Sequence, residues 1–458
     1  MASFLVLSPS TGQQVGEVAD AGPAEARQCA DAAVAAFHSW QATTAYERAA
    51  ILRRWNDLVL ANVRQVARII SEEMGKPITE ALGEVRYAAS FIEWYSEEAK
   101  RVYGETIPSQ AGSKRLIVAR QPVGPVYAIT PWNFPAAMVT RKAAPALAAG
   151  CSFVLKPAEQ SPLTALRLRE LWVEAGGPAD VFQVITTYHP AEVSEVFLAD
   201  PRIRKVSFTG STEVGMRLYA QCAPTMKRIS LELGGHAPFL IFEDADLDRA
   251  VREVCASKFR NAGQTCVCVN RAYVHESVSE PFSRRLAEAV SALKVGDPLD
   301  ETTQIGPLVD ANGLAKVREH VDDAVARGAR VVTGGTTGKG LYYTPTVLEG
   351  VRPGARILEE ETFGPVAPLL TFRTQEEAIE LANSVPWGLA AYLWTRDLTR
   401  AFRVGEALDF GIVGINDGLP STAQAPFGGF KNSGVGREGG KWGIDEYLEV
   451  KFLSINLP

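Results

Sequence analysis

Short apolar runs alternate with helical stretches from about residue 115 onward, and this alternation limits the fold of the chain more than any other feature. Such runs are typical of buried strands, and two of the stretches between them end at glycine, a common helix stop. The predicted strands are Val126–Thr130, Ser152–Lys156, Val181–Ile185 and Lys205–Thr209, and the predicted helices between them are Ala136–Ala149, Leu163–Ala175 and Ala191–Ala199. The pattern predicts a parallel, doubly wound α/β sheet that binds ligands at the carboxyl ends of its strands.

The rest of the chain extends the α/β pattern. The alternation recurs from about residue 232 to residue 427, the first third is predicted to be helical, and Tyr447–Ile455 is predicted to be a closing strand. Further predicted helices are Ala24–Phe37, Ala45–Met74, Ile78–Lys100 and Leu247–Phe259, and further predicted strands are Ala237–Phe242 and Arg271–His275.

Composition narrows the classes of function. A length of 458 residues allows two or three domains, and a net charge of -6 spread along the chain argues against a nucleic-acid or anionic membrane partner. The N-terminus lacks the pattern of a signal or transit peptide, and no apolar run is long enough to span a bilayer. We therefore expect no membrane contact and a location in the cytoplasm or another reducing space.

Cysteine and histidine usage argues against disulfides and metals. The six cysteines show no framework spacing, which predicts free thiols. Of the five histidines, none pairs with cysteine at zinc spacing, so no metal site is expected.

Four short motifs carry residues that could take part in catalysis or ligand binding: Asn261–Cys266, Leu231–Gly235, Pro131–Pro135 and Phe208–Gly215. In the first three, Cys266 could be a nucleophile, Glu232 a general base, and Asn133 an amide donor to an oxyanion. Each also has a plain structural alternative: a buried thiol, a solvated glutamate in a turn and a helix-capping asparagine. The fourth motif follows a strand and opens a helix, which suits a phosphate at the helix N-terminus, although it is not the usual glycine fingerprint.

In this order the four motifs resemble the aldehyde dehydrogenase superfamily. Three further segments share the resemblance, which runs from about Pro9 to the C-terminus: Lys156–Glu159, Glu360–Pro365 and Pro426–Gly434. Three others are similar to succinate-semialdehyde dehydrogenases in particular: Phe259–Cys268, Gly235–Pro238 and Gly443–Lys451.

The resemblance implies an aldehyde dehydrogenase-like α/β fold with three parts. A Rossmann-like cofactor domain would comprise residues 1–102 and 123–231, and an α/β catalytic domain residues 232–427. A small β oligomerisation flap would comprise residues 103–122 and 441–458, with residues 428–440 returning to the cofactor domain. The flap would join copies of the chain into a homodimer or homotetramer.

The resemblance also implies a mechanism. Cys266 would attack an aldehyde, and the Asn133 amide and the Cys266 N–H would hold the oxyanion. Glu232 would activate the water that hydrolyses the resulting thioester to a carboxylic acid. Lys142 and Glu438 match positions that relay its proton.

Seven positions match the cofactor site of the family: Trp132, Lys156, Glu159, Gly210, Ser211, Glu361 and Phe363. By resemblance, Lys156 and Glu159 would lie at the adenosine ribose. A carboxylate accepts a hydrogen bond from a ribose 2′-hydroxyl but repels a 2′-phosphate. Glu159 therefore favours NAD as the cofactor and leaves NADP open.

Substrate recognition would depend on Arg141 and Arg260, which match arginines that bind the distal carboxylate in semialdehyde enzymes, with help from Ser421. A guanidinium pairs bidentately with a carboxylate, although either arginine could instead make a structural ion pair. The loop Leu419–Gln424 departs from the family pattern, which leaves the hydroxyl contact and the preferred chain length open.

Several alternatives remain. The substrate could be glutarate semialdehyde, betaine aldehyde or a neutral aliphatic aldehyde, although an arginine-lined pocket should reject the betaine cation. CoA could replace water, or the chain could be a silent binding protein on the same fold. Cys268 adds a redox hypothesis, since a reversible Cys266–Cys268 bond would stop catalysis if the loop rearranged.

Overall fold

The computed structural model describes residues 2–457. Its α-helices are α1 (Pro23–Trp40), α2 (Ala45–Ala61), α3 (Val63–Met74), α4 (Ile78–Glu98), α5 (Ala137–Ala149), α6 (Pro162–Glu174), α7 (Pro190–Ala199), α8 (Thr212–Cys222), α9 (Leu247–Lys258), α10 (Glu276–Ser291), α11 (Ala311–Ala326), α12 (Arg356–Glu359), α13 (Gln375–Asn383), α14 (Leu398–Ala407) and α15 (Gly440–Asp445). Within residues 2–457, none of these helices combines the length and the apolar character needed to cross a membrane.

The strands form five sheets within the same residues. They are β1 (Ser3–Leu7), β2 (Gln14–Ala19), β3 (Glu105–Ile107), β4 (Lys114–Pro122), β5 (Val126–Ile129), β6 (Phe153–Lys156), β7 (Phe182–Val184), β8 (Lys205–Thr209), β9 (Arg228–Glu232), β10 (Ala237–Ile241), β11 (Val269–His275), β12 (Arg330–Thr333), β13 (Thr346–Glu349), β14 (Val366–Phe372), β15 (Trp387–Gly388), β16 (Ala390–Trp394), β17 (Ile412–Ile415), β18 (Phe430–Lys431), β19 (Gly434–Val435) and β20 (Leu448–Asn456).

A six-stranded sheet in the order β19-β9-β8-β5-β6-β7 contains the first part of the predicted pattern. The strands from β9 to β7 are parallel, and β5, β6 and β8 are almost wholly buried, as expected for a sheet covered by helices on both faces. Because β5 pairs with β6 on one side and with β8 on the other, the strand order reverses at β5. The carboxyl ends of these strands therefore open onto a crevice suited to a ligand.

A seven-stranded sheet in the order β12-β13-β14-β11-β10-β16-β17 contains the second part. Its neighbouring strands are parallel except at the β12–β13 edge. Strand β10 begins two residues after Gly235, and β11 directly follows Cys268. The predicted base and nucleophile motifs thus lie at the entrances to two neighbouring strands of this sheet.

Helix α5 follows strand β5 and lies in the protein core. All 13 of its residues are buried, and it packs against α4 and α2. Two of those residues, Arg141 and Lys142, carry charge. Because a buried charge is costly without a partner, α5 requires acidic groups from elsewhere in the chain.

Two predictions for the N-terminal third were wrong. The chain begins with an antiparallel pair of strands, β1 and β2, and is not helical from its start. The predicted helix Ala45–Met74 is two helices separated at Asn62, whose side-chain Nδ2 donates to the Leu58 carbonyl over 2.8 Å. A short polar side chain that bonds the preceding turn competes with the helical backbone.

A three-stranded antiparallel sheet in the order β20-β4-β3 stands where the oligomerisation flap was predicted. Nine residues of β20, from Leu448 to Asn456, pair with β4. Beyond Leu448, every residue of β20 is exposed. Its apolar side chains include Val450, which is 68% exposed, and Phe452, which is 58% exposed.

Candidate active site

Cys266 is half-buried and lines two cavities. We call the first, of about 70 Å³, the arginine cavity, and its lining includes Tyr87, Phe134, Arg141, Arg260, Ser421 and Phe427. We call the second, of about 290 Å³, the glycine cavity, and its lining includes Trp132, Asn133, Gly210, Ser211, Glu361 and Phe363. The structure thus brings all three predicted substrate residues to one cavity and five of the seven predicted cofactor residues to the other.

The loop before Cys266 has an unusual backbone. Asn261 and Ala262 have φ values of 53° and 54°, and Gly263 has a φ of 75°. A Cβ at Gly263 would collide with the Gly364 carbonyl, so glycine is required there. On the far side, a Cβ at Gly235 would lie 2.7 Å from the Cys266 carbonyl oxygen. Two glycines therefore let other segments approach the predicted nucleophile closely.

The thiol of Cys266 is protonated at neutral pH in this structure. Burial, with the nearby Glu361 carboxylate, raises its pKa to about 12, although Arg141 acts in the opposite direction. A thiolate would form only if a base took the proton or if a cation came close to the sulfur.

Glu232, the predicted base, ends strand β9 and is 4% exposed. Burial and the Glu438 carboxylate raise its pKa well above the ordinary value, while Arg141 and Lys142 lower it. Its ionised form is therefore a stronger base than an exposed glutamate. Gly428 provides room for the carboxyl group, since a Cβ there would lie 2.8 Å from Glu232 Oε1.

Glu438 partly offsets the two positive charges of α5. Lys142 Nζ donates to Glu438 Oε1 over 2.6 Å and to the Ser207 hydroxyl over 3.1 Å. Arg141 Nε lies 2.7 Å from Glu438 Oε2, and the Arg141 guanidinium lies 3.9 Å from the ring centre of Phe427. The predicted relay residue Lys142 and the predicted substrate residue Arg141 thus share one buried carboxylate.

Arg260 differs from Arg141 in its charge balance. Within residues 2–457 it makes no ion pair, and its Nε is buried without a hydrogen-bond partner. Its guanidinium lies 5.1 Å from the ring centre of Phe134. The cavity therefore offers an anion one largely unneutralised cation.

Tyr87 was not predicted from the sequence. It lies on α4 and lines the arginine cavity, and its hydroxyl is buried without a partner in the part of the chain described. A tyrosine in an amphipathic helix is usually a packing residue, so no sequence signal distinguished it. Phe134 and Phe427 form walls of the same cavity, and although both lie in the named motifs, they were not predicted as site residues.

The glycine cavity suits a phosphate-bearing cofactor. Gly210 precedes α8, and the Ser211 side chain caps that helix by accepting from the Val214 N–H over 3.3 Å. A Cβ at Gly210 would collide with the Phe208 ring, so the backbone is bare where a helix N-terminus can bind phosphate. These features fit the dinucleotide that the sequence predicts.

Glu361 and Phe363 lie on another wall of the glycine cavity. The Gly235 N–H donates to Glu361 Oε1 over 3.4 Å, and burial raises the pKa of Glu361 to about 7. Phe363 has a φ of 54° and packs edge-on against Trp132, with ring centres 5.5 Å apart. Lys316, another lining residue, was not predicted.

Lys156 and Glu159 lie outside the glycine cavity. They form an ion pair with each other at the carboxyl end of β6. Glu159 instead lines a separate groove that also contains Tyr188 and Asp310. The two residues share the carboxyl edge of the six-stranded sheet with Gly210, but not its cavity.

Cys268 is fully buried, and both it and Cys266 are free thiols. Its Sγ lies 3.6 Å from Lys258 Nζ and donates to the Gly263 carbonyl over 3.4 Å. The two sulfurs therefore have different surroundings, since only Cys266 lines the cavities.

Comparison with known proteins agrees with this geometry. The model of the aldehyde dehydrogenase family matches residues 2–453. The chain is 54% identical to the NADP(+)-dependent succinate-semialdehyde dehydrogenase of Escherichia coli, covering 99% of this chain and 94% of that protein. It is 53% identical to a glutarate-semialdehyde dehydrogenase of Pseudomonas putida, with coverage of 99% and 94%. The crystal structure of an NADP-dependent enzyme of E. coli superposes with a TM-score of 0.98 at 53% identity, covering 100% of this chain and 95% of that one.

Proposed function

This chain belongs to the aldehyde dehydrogenase family, and we propose that it oxidises succinate semialdehyde to succinate with Cys266 as its nucleophile. It is an NAD(P)-dependent aldehyde dehydrogenase. The observation that carries the proposal is the position of Cys266, whose thiol lines both an arginine cavity and a glycine cavity.

In the first chemical step the Cys266 thiol gives up its proton, for which Glu232 is the proposed acceptor, and Sγ forms a bond with the aldehyde carbon. The carbonyl oxygen becomes an oxyanion, and the proposed donors to it are the Asn133 side-chain amide and the Cys266 N–H. Asn133 Nδ2 also donates to the Gln264 carbonyl over 3.1 Å, which leaves its second N–H for the oxyanion. Such donors typically accelerate reactions by about 10²–10³.

A nicotinamide cofactor held in the glycine cavity would supply the acceptor for the hydride of the aldehyde carbon. The residues placed to hold it are Trp132, Gly210, Ser211, Glu361 and Phe363, with Lys156 and Glu159 at the adenosine end. The enzyme is then left with a thioester on Cys266.

Glu232 completes the reaction by taking a proton from water, whose hydroxide attacks the thioester and releases the carboxylic acid and the Cys266 thiolate. Its raised pKa makes the ionised carboxylate an effective base. The proton then passes to Glu438 and Lys142, which are joined by a hydrogen bond of 2.6 Å. A hydrolytic rather than a CoA-dependent second step follows from the presence of this base.

The proposed substrate carries a carboxylate distant from its aldehyde. Arg260 presents its guanidinium to the arginine cavity without an ion-pair partner in residues 2–457, while Arg141 is partly neutralised by Glu438. The hydroxyl groups of Tyr87 and Ser421 line the same cavity. An anion is thus favoured, and the cation of betaine aldehyde is disfavoured.

Glutarate semialdehyde is the second candidate substrate. It carries the same two functional groups, and the enzyme from P. putida named for it is 53% identical to this chain. Because Leu419–Ser421 line the arginine cavity, this loop is where the preferred chain length would be set.

We favour NAD over NADP because Glu159 places a carboxylate at the proposed ribose position. Replacing Glu159 with serine should raise the ratio of the NADP rate to the NAD rate. The matched variant is Glu159→Asp, which keeps the charge and should keep the preference for NAD. An unchanged ratio in Glu159→Ser would contradict this assignment.

The substrate proposal is tested by comparing succinate semialdehyde with butyraldehyde, which has the same chain length and no carboxylate. The readout is NADH absorbance with the wild type and the Arg260→Ala and Arg260→Lys variants. We expect the preference for succinate semialdehyde to fall about 10–100-fold in Arg260→Ala, since a charged hydrogen bond contributes about 1.5–3 kcal/mol. Arg260→Lys should retain part of it. Equal use of both aldehydes by the wild type would refute the semialdehyde assignment.

A homodimer or homotetramer is the proposed assembly, joined through the exposed sheet formed by β20, β4 and β3. A strand with large exposed apolar side chains is typical of an interface. The proposed place of work is a reducing compartment such as the cytoplasm, because the reaction needs a free Cys266 thiol.

A further inference from the structure

The main chain of Asn133 is held by two buried side chains that the proposed mechanism does not use. Lys76 Nζ donates to the Asn133 carbonyl over 2.8 Å, and Asn261 Nδ2 donates to the same oxygen over 3.0 Å. Lys76 and Asn261 are each 1% exposed. Because these bonds are sheltered from water, they restrict Asn133 more firmly than surface contacts would.

Asn261 also connects Asn133 to the loop that carries Cys266. Its Nδ2 donates to the Gln264 carbonyl over 3.2 Å, and Asn133 Nδ2 donates to that carbonyl over 3.1 Å. Two side-chain amides therefore meet at one carbonyl, two residues before Cys266. A movement of Asn261 would displace both Asn133 and this loop.

Lys76 holds the other end of the same segment through its ion pair with Glu84. Glu84 Oε1 accepts from the N–H groups of Ala136 over 2.8 Å and Ala137 over 3.3 Å, at the start of α5. Lys76 Nζ itself lies 3.7 Å from the ring centre of Phe134. One buried pair thus fixes the turn that leads from Asn133 into the helix.

Asn261 has a conformation that needs external support. Its φ of 53° is followed by left-handed values at Ala262 and Gly263. The Asn261 N–H donates to Glu80 Oε2 over 2.7 Å. Consecutive left-handed residues persist only where their surroundings hold them, and such strain is typical of functional sites.

We propose that Lys76 and Asn261 are positioning residues that aim the Asn133 amide at the oxyanion formed during attack by Cys266. The inference rests on the proposed function, because it assumes that Asn133 donates to that oxyanion. Neither side chain need touch the substrate. Their removal should slow the chemical step and leave substrate binding largely unchanged.

The first test uses Asn261→Gly, which removes the amide while glycine still adopts the left-handed backbone. We expect kcat to fall about 10–100-fold, less than the full loss of an oxyanion donor, with KM for the aldehyde changed less than threefold. The isotope effect with a C1-deuterated aldehyde should stay the same or fall, because slower attack makes cleavage of the C1–H bond less rate-limiting. An unchanged kcat would overturn the proposal.

Lys76 is tested in the double variant Lys76→Met/Glu84→Gln, which removes both charges of the ion pair together. The same fall in kcat is expected. The control is Lys227→Met, because Lys227 is also a buried lysine that donates to main-chain carbonyls, those of Asp200 and Ile203. If that control lowered kcat equally, the effect would be one of general stability and the proposal would fail.

A double-mutant cycle with Asn133→Ala separates the inference from the proposed function. If Asn261 acts through Asn133, Asn261→Gly should cost less than threefold in the Asn133→Ala background. If Asn133→Ala is impaired and the two losses simply multiply, the positioning role is refuted while the role of Asn133 stands. Full activity of Asn133→Ala would refute the proposed oxyanion role and with it this inference.

Discussion

Cys266 combines exposure to two cavities with a thiol that resists ionisation. Its pKa is raised to about 12 by burial and by Glu361. A raised thiol pKa means less thiolate at neutral pH. As long as the pH is below the pKa, the thiolate fraction rises tenfold for each unit by which the pH increases. We therefore expect Cys266 in the free enzyme to react slowly with electrophiles at neutral pH.

The prediction at this residue concerns alkylation by iodoacetamide without cofactor. Labelling of Cys266, followed by peptide mass spectrometry, should accelerate about tenfold per pH unit between pH 7 and pH 9 with no plateau. Labelling of Cys255, another half-buried thiol, provides an internal comparison. A plateau below pH 8 would show that the thiol is already ionised in the free enzyme.

A second prediction at this scale concerns the proposed redox switch. Peroxide would accept two electrons from Cys266 and Cys268, which lose two protons and form one S–S bond, while the peroxide becomes two waters. Activity lost to peroxide should return with dithiothreitol in the wild type. In Cys268→Ala the loss should be slower or irreversible. Equal sensitivity and equal recovery in both proteins would exclude the switch.

Some residues could be singled out from the sequence and others could not. Cys266, Glu232 and Asn133 lie in short motifs with glycine or proline neighbours, which made them candidates, and the resemblance supplied their proposed roles. The pairing of Lys142 with Glu438 joins residues 296 positions apart, and only the resemblance pointed to it. No sequence pattern distinguished Tyr87, because its role depends on which face of α4 meets the cavity.

At the scale of elements, strands were predicted well because buried parallel strands are continuous apolar runs. Strands β5, β6 and β8 lie within a residue or two of their predicted bounds. The break at Asn62 was missed because apolar residues on both sides keep the helical period. The β1–β2 pair was missed because its two short strands are mostly exposed and pair only with each other.

In the turn before Cys266, we expect the addition of a single Cβ at Gly263 to be highly disruptive. Gly263→Ala combines an unfavourable positive φ with a collision against the Gly364 carbonyl, so it should displace the loop. We expect at least a hundredfold loss of kcat and a lower melting temperature. Gly83→Ala is the matched control, since a Cβ there meets nothing within 4 Å on helix α4. That change should be neutral or stabilising by up to about 1 kcal/mol.

At the scale of the whole molecule, the proposed assembly through the sheet formed by β20, β4 and β3 can be tested. The double variant Val450→Asp/Phe452→Asp places charges where large apolar side chains are exposed, and burying them in an interface would be costly. Light scattering should show a smaller particle than the wild type. Glu449→Asp, on the same strand, should leave the mass unchanged. A wild-type monomer would exclude this assembly.

The two cavities share Cys266 and Met138 in their linings and otherwise draw on different residues. Under the proposed function, aldehyde recognition and cofactor binding thus depend on separate sets of residues. Substitutions at Arg260, Ser421 or Tyr87 can therefore change the aldehyde that is accepted while the cofactor stays the same. Its cofactor preference can equally change from one nicotinamide cofactor to the other without a change in substrate specificity. On a scaffold divided in this way, substrate specificity and cofactor preference can evolve independently.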